Sequence, residues 1–236
     1  MIDAIKSTQL AMISDQNRLQ TINQNISNML TPGYKQQLVD LSFKEQLSTE
    51  LNPAFPQLQN AHNLTQGPMM HTKASTDLAL AGEGFFVVHT EKGLLYTRRG
   101  DLHLNEHGEL SSFTGGLVMG RSGSIVINDN EFSVDKKGNI SIGDQKIDQL
   151  RIVKFSSNQP LSYLGQGLYQ SSESPLPAES TTPVLQGYIE QSNVKSVDEM
   201  MELVKTSRHF EASQHVMRIA DGLLSTAITQ LGEGNV

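Results

Sequence analysis

The chain has 236 residues, with 18 basic and 25 acidic side chains, a formal net charge of −7 and no Cys. Thiol chemistry, Cys-ligated zinc and iron–sulfur clusters are therefore excluded, and the acidic balance disfavours a nucleic-acid or anionic-membrane partner, because both require a concentrated basic face. Aromatic residues make up only 6% of the chain and Trp is absent, so we expect an aliphatic core rich in turns.

The first predicted element is an amphipathic helix over residues 1–31. Its apolar stripe has the a/d spacing of a coiled-coil helix and consists of Ile5, Met12, Leu19, Ile22, Ile26 and Met29. Thr31-Pro32-Gly33 ends the helix, because Pro32 disfavours helical geometry in the residue before it and Gly33 tolerates the turn.

The same N-terminal residues bear on targeting. Met1–Leu10 includes Asp3 and Lys6 and has no continuous apolar segment, so we expect no cleavable secretory signal. No stretch of the sequence approaches the roughly 20 apolar residues of a membrane span. We therefore expect a protein without membrane insertion.

Residues 32–75 follow neither the helical nor the strand period. They contain Pro53, Pro56 and Pro68 among many Gln, Asn and Thr residues. This composition predicts an extended linker, with a short helix at Leu41–Leu47.

An all-β domain is predicted for residues 76–190, where the apolar period changes to two. Gly, Asn and Asp separate short strands, which are expected at Phe85–Val88, Leu94–Tyr96, Leu102–Leu104, Ile125–Ile127, Phe132–Val134, Ile140–Ile142 and Ile152–Phe155. Segments 101–110 and 131–140 form an internal repeat. In each segment an alternating strand leads into a turn that Asn or Asp opens and Gly closes, which is typical of a tight hairpin.

The last predicted element is a second amphipathic helix within residues 191–236. Ser196 and Glu199 form a capping box at its start, and Gly232 is expected to end it. One apolar column recurs every seven residues, at Leu203, Phe210, Met217, Leu224 and Leu231. Gly222 costs about 1 kcal/mol relative to Ala inside a helix, so we expect a kink or a tight contact there.

These elements predict an α+β fold, in which a central hairpin-rich all-β domain is flanked by long terminal helices that pair as a coiled coil. Isolated helices gain little stability from propensity, so both stripes need a partner. They could pair only with each other, or they could also face neighbouring copies of the chain. The second column of the first helix includes Thr8 and Asp15, and that of the second helix includes Ala220 and Ala227. Such polar and small residues leave a two-helix hairpin under-packed, which favours contacts between copies. The two stripes are therefore the predicted subunit interface.

Two short motifs match known functional signatures, but both lie in or next to predicted strands, which does not suit either function. His103-Leu104-Asn105-Glu106-His107 matches an inverted zinc-protease signature, which requires a helix to bring two His and a Glu together. The motif lies in a strand pattern here, so a zinc hydrolase using His103, Glu106 and His107 is only the alternative function. Arg99-Gly100-Asp101 spells a tripeptide of adhesion ligands, yet it leads directly into a strand. No catalytic, metal or cofactor site is predicted.

Several segments, taken together, resemble the flagellar basal-body rod and hook proteins. The segments are Asn25–Lys35, Asp77–Leu80, Gly82–Val88, Tyr96–Gly100, Asn105–Gly108 and Gly187–Val194. Within them the family pattern is carried by Asn25, Asn28, Thr31, Pro32, Gly33, Tyr34, Gly84, Phe85, Phe86, Tyr96, Thr97, Arg98, Gly100, Ser192, Asn193 and Val194. The resemblance extends over nearly the whole chain in the same order.

The resemblance implies a non-enzymatic structural subunit of the bacterial flagellar rod, which polymerises helically through its terminal helices and transmits torque across the periplasm. It implies copies of itself and other rod and hook subunits as partners. It also implies the flagellar type III export apparatus, which exports such proteins without a cleaved signal. Phe43-Lys44-Glu45-Gln46-Leu47 resembles an export signal, through Phe43 and Leu47. Arg208–Glu211 and the modest length resemble the proximal-rod (F-type) subunit, slightly ahead of the distal-rod (G-type) subunit that Gly187–Glu190 and Ala220–Leu224 resemble.

Overall fold

The computed structural model of the chain describes residues 2–39, 60–128, 131–155, 161–171, 173–178 and 182–233. Helix α1 spans Ile2–Ser27 and helix α2 spans Ser196–Glu233. The described strands are β1 Gln37–Val39, β2 Asn60–His62, β3 Met69–His71, β4 Leu78–Leu80, β5 Phe85–Thr90, β6 Gly93–Thr97, β7 Leu102–Leu104, β8 Leu110–Ser112, β9 Leu117–Val118, β10 Ser133–Val134, β11 Asn139–Ile142, β12 Gln145–Gln149, β13 Ile152–Lys154, β14 Leu161–Gly165, β15 Leu168–Ser171, β16 Leu176–Pro177, β17 Val184–Gln186 and β18 Tyr188–Glu190. Terminal helices around a strand-rich middle confirm the predicted α+β class.

The described residues form two compact units. One, here called the helical unit, contains α1 and α2, and the other, the β unit, contains Asn28–Leu38 and Ala61–Val194. The segment predicted as a linker therefore contributes strands, because β2 and β3 lie within residues 32–75 and β3 pairs antiparallel with β18. The short helix predicted at Leu41–Leu47 lies outside the described residues.

Within the helical unit, α1 and α2 are antiparallel neighbours. Asp15 Oδ2 lies 2.5 Å from His209 Nδ1, Arg18 Nη2 lies 2.6 Å from Glu202 Oε2, and Asn25 Nδ2 donates to Glu199 Oε1 at 3.2 Å. As the residue number rises along α1, that of the partner on α2 falls, which fixes the antiparallel direction. Helix α2 begins at Ser196 as predicted.

Helix α1 ends at Ser27, a few residues before the predicted stop. The reason is a local turn in which the Thr31 amide donates to the Asn28 carbonyl at 3.0 Å and the Tyr34 amide donates to the Thr31 carbonyl at 3.3 Å. The Thr31 hydroxyl also donates to the Asn28 side chain at 3.3 Å. Such side-chain bonds give the backbone an alternative to the helix.

Strand β5 lies at the centre of the β unit. In the largest described sheet the strand order is β14-β15-β6-β5-β9-β8-β7, and β13 also pairs with β5. Successive side chains of β5 point to opposite faces, so Phe86 and Val88 join one hydrophobic cluster while Phe85 and Val87 join the other. The aliphatic composition of the first cluster agrees with the scarcity of aromatic residues.

Six of the seven predicted strands are confirmed, with ends shifted by a few residues. The exception is Ile125–Ile127, which forms one isolated bridge, from Val126 to Glu109, and no strand. Its backbone instead joins the hairpin turn, since the Leu110 amide donates to the Ile125 carbonyl and the Ile127 amide donates to the Gly108 carbonyl. The alternating pattern is still correct about burial, because Ile125 and Ile127 are both in the core.

The internal repeat is confirmed in atomic detail. Asn105 Oδ1 accepts from the amides of His107 and Glu109, both at 2.9 Å. Asp135 Oδ1 accepts from the amides of Lys137 and Asn139, both at 2.8 Å. A Gly with positive φ closes each turn, at +72° in the first and +75° in the second. A short polar side chain at the same position of the repeat, Asn105 or Asp135, therefore organises each hairpin turn.

Candidate functional site

A buried ion cluster lies where three of the motif segments meet in the β unit. Lys35 Nζ is 2.6 Å from Glu190 Oε1, and Arg98 Nη2 is 2.8 Å from Glu190 Oε2. The three side chains are only 1–3% exposed. One carboxylate at the end of β18 thus holds two cations, one from the segment after α1 and one from the residue that follows β6.

Backbone groups complete the cluster. Lys35 Nζ donates to the Thr65 carbonyl at 2.6 Å, and the Arg98 guanidinium donates to the carbonyls of Gly84 at 2.6 Å and Gly82 at 2.7 Å. Burial lowers the pKa of both Lys35 and Arg98, and the Glu190 carboxylate opposes that shift. The carbonyl dipoles therefore compensate for the one positive charge that Glu190 does not neutralise.

The chain around Lys35 can lie this close because residue 33 is glycine. Gly33 has a φ of +65°, and a Cβ there would come within 2.5 Å of the Arg98 backbone. Its amide donates to the Glu190 carbonyl at 2.7 Å. The Gln36 amide then donates to the Asn193 side chain at 2.7 Å. Gly33 and Asn193, both assigned to the family pattern, thus position the cluster.

An aromatic cluster lies beside the ions. The Tyr34 ring meets Tyr163 edge-on with centroids 5.7 Å apart, and His62 meets Tyr169 in the same way at 5.3 Å. Burial raises the pKa of Tyr163 and of Tyr169 and lowers the pKa of His62. Three of the five Tyr residues therefore lie where the segment after α1 packs within the β unit.

The remaining motif residues hold backbone in place. Phe85 and Phe86 fill the core on both faces of β5, and the Thr97 hydroxyl donates to the Gly167 carbonyl at 2.8 Å. The Ser192 hydroxyl accepts from the Val194 amide at 3.2 Å. Asn25 and Asn28 act at the end of α1, through the bonds to Glu199 and Thr31.

The ion cluster itself is absent from the sequence predictions. Arg98 is a predicted motif residue, and Lys35 and Glu190 lie within the resembling segments, but the sequence predicts no contact among the three. The one available signal was that each segment carries a charged residue among apolar residues and glycines. A separation of 155 residues between Lys35 and Glu190 leaves no local pattern that would pair them.

The predicted interface columns are mostly partly buried. Ile22 is buried, and partial burial applies to Ile5, Met12, Leu19, Ile26, Met29, Leu203, Phe210, Met217 and Leu224. The side chain of Leu231 is outside the described set, and so are Phe43 and Leu47. A second apolar set on α2 was not predicted and is 51–69% exposed: Val197, Met200, Met201, Val204, Val216, Ile219, Leu223 and Ile228.

The two chemical motifs lie in strands and turns. His103 is in β7, whereas Glu106 and His107 lie in the Asn105 turn, so the helix that a zinc site requires is missing from this described segment. No group of three or more His, Asp or Glu side chains in the described part of the chain is placed to hold a metal ion.

The adhesion-like tripeptide is closed on itself. Arg99 makes a bidentate ion pair with Asp101, at 2.9 Å and 2.5 Å, and also covers the Phe113 ring at 4.5 Å from its centroid. Its two charged side chains therefore bind each other. Neither α1 nor α2, as far as they are described, contains a stretch long and apolar enough to cross a membrane.

Two family models match the chain. The model described as "Flagellar hook protein FlgE/F/G D1 domain" matches residues 79–142, and "Flagellar basal body rod FlgEFG protein C-terminal" matches residues 185–231. Arg98 lies in the first match and Glu190 in the second. The two matches therefore include two of the three charges in the buried cluster.

Relatives align along nearly the whole length. The flagellar basal-body rod protein FlgG of Buchnera aphidicola subsp. Acyrthosiphon pisum (strain APS) is 27% identical over 259 residues, covering 95% of this chain and 98% of the relative. FlgG of Bacillus subtilis (strain 168) is 26% identical over 262 residues, covering 97% and 98%. FlgF of Caulobacter vibrioides (strain ATCC 19089 / CIP 103742 / CB 15) is 29% identical over 227 residues, covering 92% and 93%.

Relatives of the FlgF and FlgG kinds match at similar identity, so they do not bear out the slight preference for the F-type. The resemblance found in the motif segments and the family matches agree on the same group of proteins. The two family models and the relatives aligned along nearly the whole chain therefore support a flagellar basal-body rod protein, and they leave the F-type and the G-type unresolved.

Proposed function

We propose that this chain is a structural subunit that polymerises helically through its terminal helices into the flagellar rod and transmits torque across the periplasm. The observation that carries the proposal is the second apolar set on α2. At these positions more than half of each apolar side chain is exposed, on a helix whose other face is already beside α1. Its relatives are rod proteins by name, and this face is what such a subunit needs.

The spacing separates the two faces of α2. Glu199, Leu203 and Phe210 lie on the less exposed face, whereas Val197, Met201 and Val204 follow the i, i+4, i+7 spacing of another face and are 67%, 51% and 52% exposed. A helix that is apolar on more than one side is normally buried on more than one side. Neighbouring copies of the chain, and other rod and hook subunits, would cover the exposed face.

The predicted columns belong to the same proposal. We infer that the Ile5 to Met29 column of α1 and the Leu203 to Leu231 column of α2 pair as a coiled coil and form part of the subunit interface. Their described members are partly buried rather than fully buried, with Ile22 as the exception. Surface therefore remains on these columns for a neighbouring subunit.

The test is a charge on the exposed face of α2 in the full chain. Val204→Glu places a carboxylate in that face, so the subunit is expected to fold but to fail to restore rods or motility in a strain lacking it. Gln214→Glu adds the same charge at an exposed polar position of α2 and is expected to restore both. Normal motility with Val204→Glu, or equal loss with the control, would refute the proposal.

We also propose that the chain leaves the cytoplasm through the flagellar type III apparatus, using Phe43 and Leu47, without cleavage of a signal. Support comes from the resemblance of Phe43-Lys44-Glu45-Gln46-Leu47 to an export signal. Replacing Phe43 and Leu47 by Ala is expected to reduce the exported amount while the cellular amount stays the same, and Gln46→Ala serves as the control. Unchanged export of the double variant would contradict this route.

A further inference from the structure

The segment Asn28–Leu38, here called the connector, is attached to the rest of the β unit by unusual means. Neither hydrophobic cluster of the described β unit includes a connector residue. Its attachment includes the fully buried Tyr34 ring and backbone bonds such as that from the Gly33 amide to the Glu190 carbonyl. Docking the connector also buries one charge, the Lys35 ammonium, which lies against Glu190 in the ion cluster.

The charges of the cluster do not balance. Lys35 and Arg98 contribute two positive charges and Glu190 one negative charge, so the buried group carries a net charge of +1. If Glu190 loses its charge, two cations remain close together without a counter-ion. Buried charge in that state is strongly unfavourable, whereas losing Lys35 leaves a balanced pair of Arg98 and Glu190.

The two cations differ in how easily they can leave. Arg98 directly follows β6 and also donates to the carbonyls of Gly82 and Gly84 beside β5. Among the described residues, Lys35 Nζ donates to Glu190 and to the Thr65 carbonyl, and Lys35 is carried by the connector. Of the two segments, the connector can move away without disturbing the large sheet.

We propose that the connector is a releasable strap whose docking on the β unit depends on the negative charge of Glu190. In the unmodified chain the negative charge of the Glu190 carboxylate compensates the buried Lys35 ammonium, so the strap stays docked. With that charge removed, the strap detaches as one piece, Lys35 reaches water, and the sheet around β5 stays folded. The proposal is independent of polymerisation, since each contact it uses lies within the β unit of one chain.

Residue-resolved hydrogen exchange of the full chain tests the strap. In Glu190→Gln, the amides of Gly33 and Gln36 are expected to exchange at least about 100-fold faster than in the unmodified chain. Both amides donate from the strap to acceptors outside it, on Glu190 and Asn193, and these bonds break when the strap detaches. The amides of Leu110 and Met119, which donate to Ile125 and Val87 in the sheet, are expected to be unaffected.

Two further variants separate charge from simple damage. Lys35→Met is expected to accelerate the Gly33 amide far less than Glu190→Gln does. The double variant Lys35→Met/Glu190→Gln restores the native net charge of +1 on Arg98 and is expected to recover much of the lost protection. Glu91→Gln, at an exposed turn, serves as the control and is expected to change nothing.

Three results would overturn the strap. The first is native exchange at Gly33 and Gln36 in Glu190→Gln. The second is equal acceleration at Leu110 and Met119, which would mean that the whole β unit opens. The third is a double variant no better protected than Glu190→Gln, and this comparison with Lys35→Met still decides the matter if Glu190→Gln alone does not fold.

Discussion

Gly100→Ala is expected to destabilise the β unit through a backbone collision. A Cβ at position 100 would lie 1.5 Å from the Leu78 carbonyl oxygen and 2.7 Å from its carbon. The two backbones are joined here, because the Leu78 amide donates to the Gly100 carbonyl at 2.9 Å and Asp77 bridges to Asp101. Because the obstacle is backbone, no change of rotamer can relieve it.

The size of the effect follows from these distances. A carbon–oxygen contact of about 3.3 Å is normal, so one backbone has to shift by nearly 2 Å. Overpacking of this kind costs about 3 kcal/mol, and the loss of the Leu78–Gly100 hydrogen bond adds about 1 kcal/mol. A total of about 4 kcal/mol is a large part of typical domain stability and corresponds to a fall in Tm of roughly 8–16 °C.

The chain offers a selective assay for this change. It contains no Trp and five Tyr, and all of these Tyr residues lie in the β unit, at Tyr34, Tyr96, Tyr163, Tyr169 and Tyr188. Tyr fluorescence during urea unfolding therefore reports the β unit, whereas helical circular dichroism reports mainly the helical unit.

Gly116→Ala is the matched control beside the same sheet, because its nearest obstacle is the Thr90 methyl group at 2.9 Å, a side-chain atom that a small shift can relieve, rather than backbone. The control is expected to cost less than about 1 kcal/mol. A Gly100→Ala chain whose Tyr-monitored stability lies within that same range would refute the steric argument.

Three further predictions concern single positions. Gly222→Ala is expected to stabilise α2 by about 1 kcal/mol, measured by helical circular dichroism, because the described residues leave the space around the new Cβ open and make no tight contact there. Tyr169→Phe is expected to change stability little at neutral pH, since the buried hydroxyl lies near the Lys35 backbone without a well-aligned hydrogen bond. Burial raises the pKa of Tyr169, so the folded chain keeps a proton that the unfolded chain loses. Stability is therefore expected to fall as pH rises above about 10 in the unmodified protein, and to fall less in the variant. Slight desolvation raises the pKa of Asp135, but hydrogen bonds from Asn139 and Lys137 outweigh it, so the pKa is lowered. This turn is therefore expected to lose stability as pH falls through that lowered pKa. Asp135→Asn is expected to remove this pH dependence, as measured from the amide signals of the turn.

Local sequence patterns predicted local structure well. The heptad columns placed both helices, the Ser196 start is correct, and the alternation at Phe85–Val88 identified the central strand. The Asn- and Asp-initiated turns were visible as a repeat, because a side chain that caps amides two and four residues ahead acts within its own turn. Each of these features depends on residues that are close in the chain.

Longer-range features escaped the sequence. The pairing of β3 with β18 joins segments about 120 residues apart, and β3 has too few residues for a clear period. The second apolar face of α2 was missed because the heptad columns already accounted for the helix, which left Val197, Met201 and Val204 unassigned. The exposure of these three side chains depends on how the chain folds, so only the structure gives it.

Neighbouring residues alone predict the element types, the two terminal helices, the hairpin turns and the resemblance to flagellar rod proteins, because periodicity, turn chemistry and motif order are local features of the chain. Only the tertiary structure decided that Lys35, Arg98 and Glu190 form one buried cluster. From sequence alone, an isolated Lys, Arg or Glu is predicted to be a solvent-exposed surface residue. Burial and a partner more than ninety residues away along the chain give each of these charges its role, and those are properties of the fold.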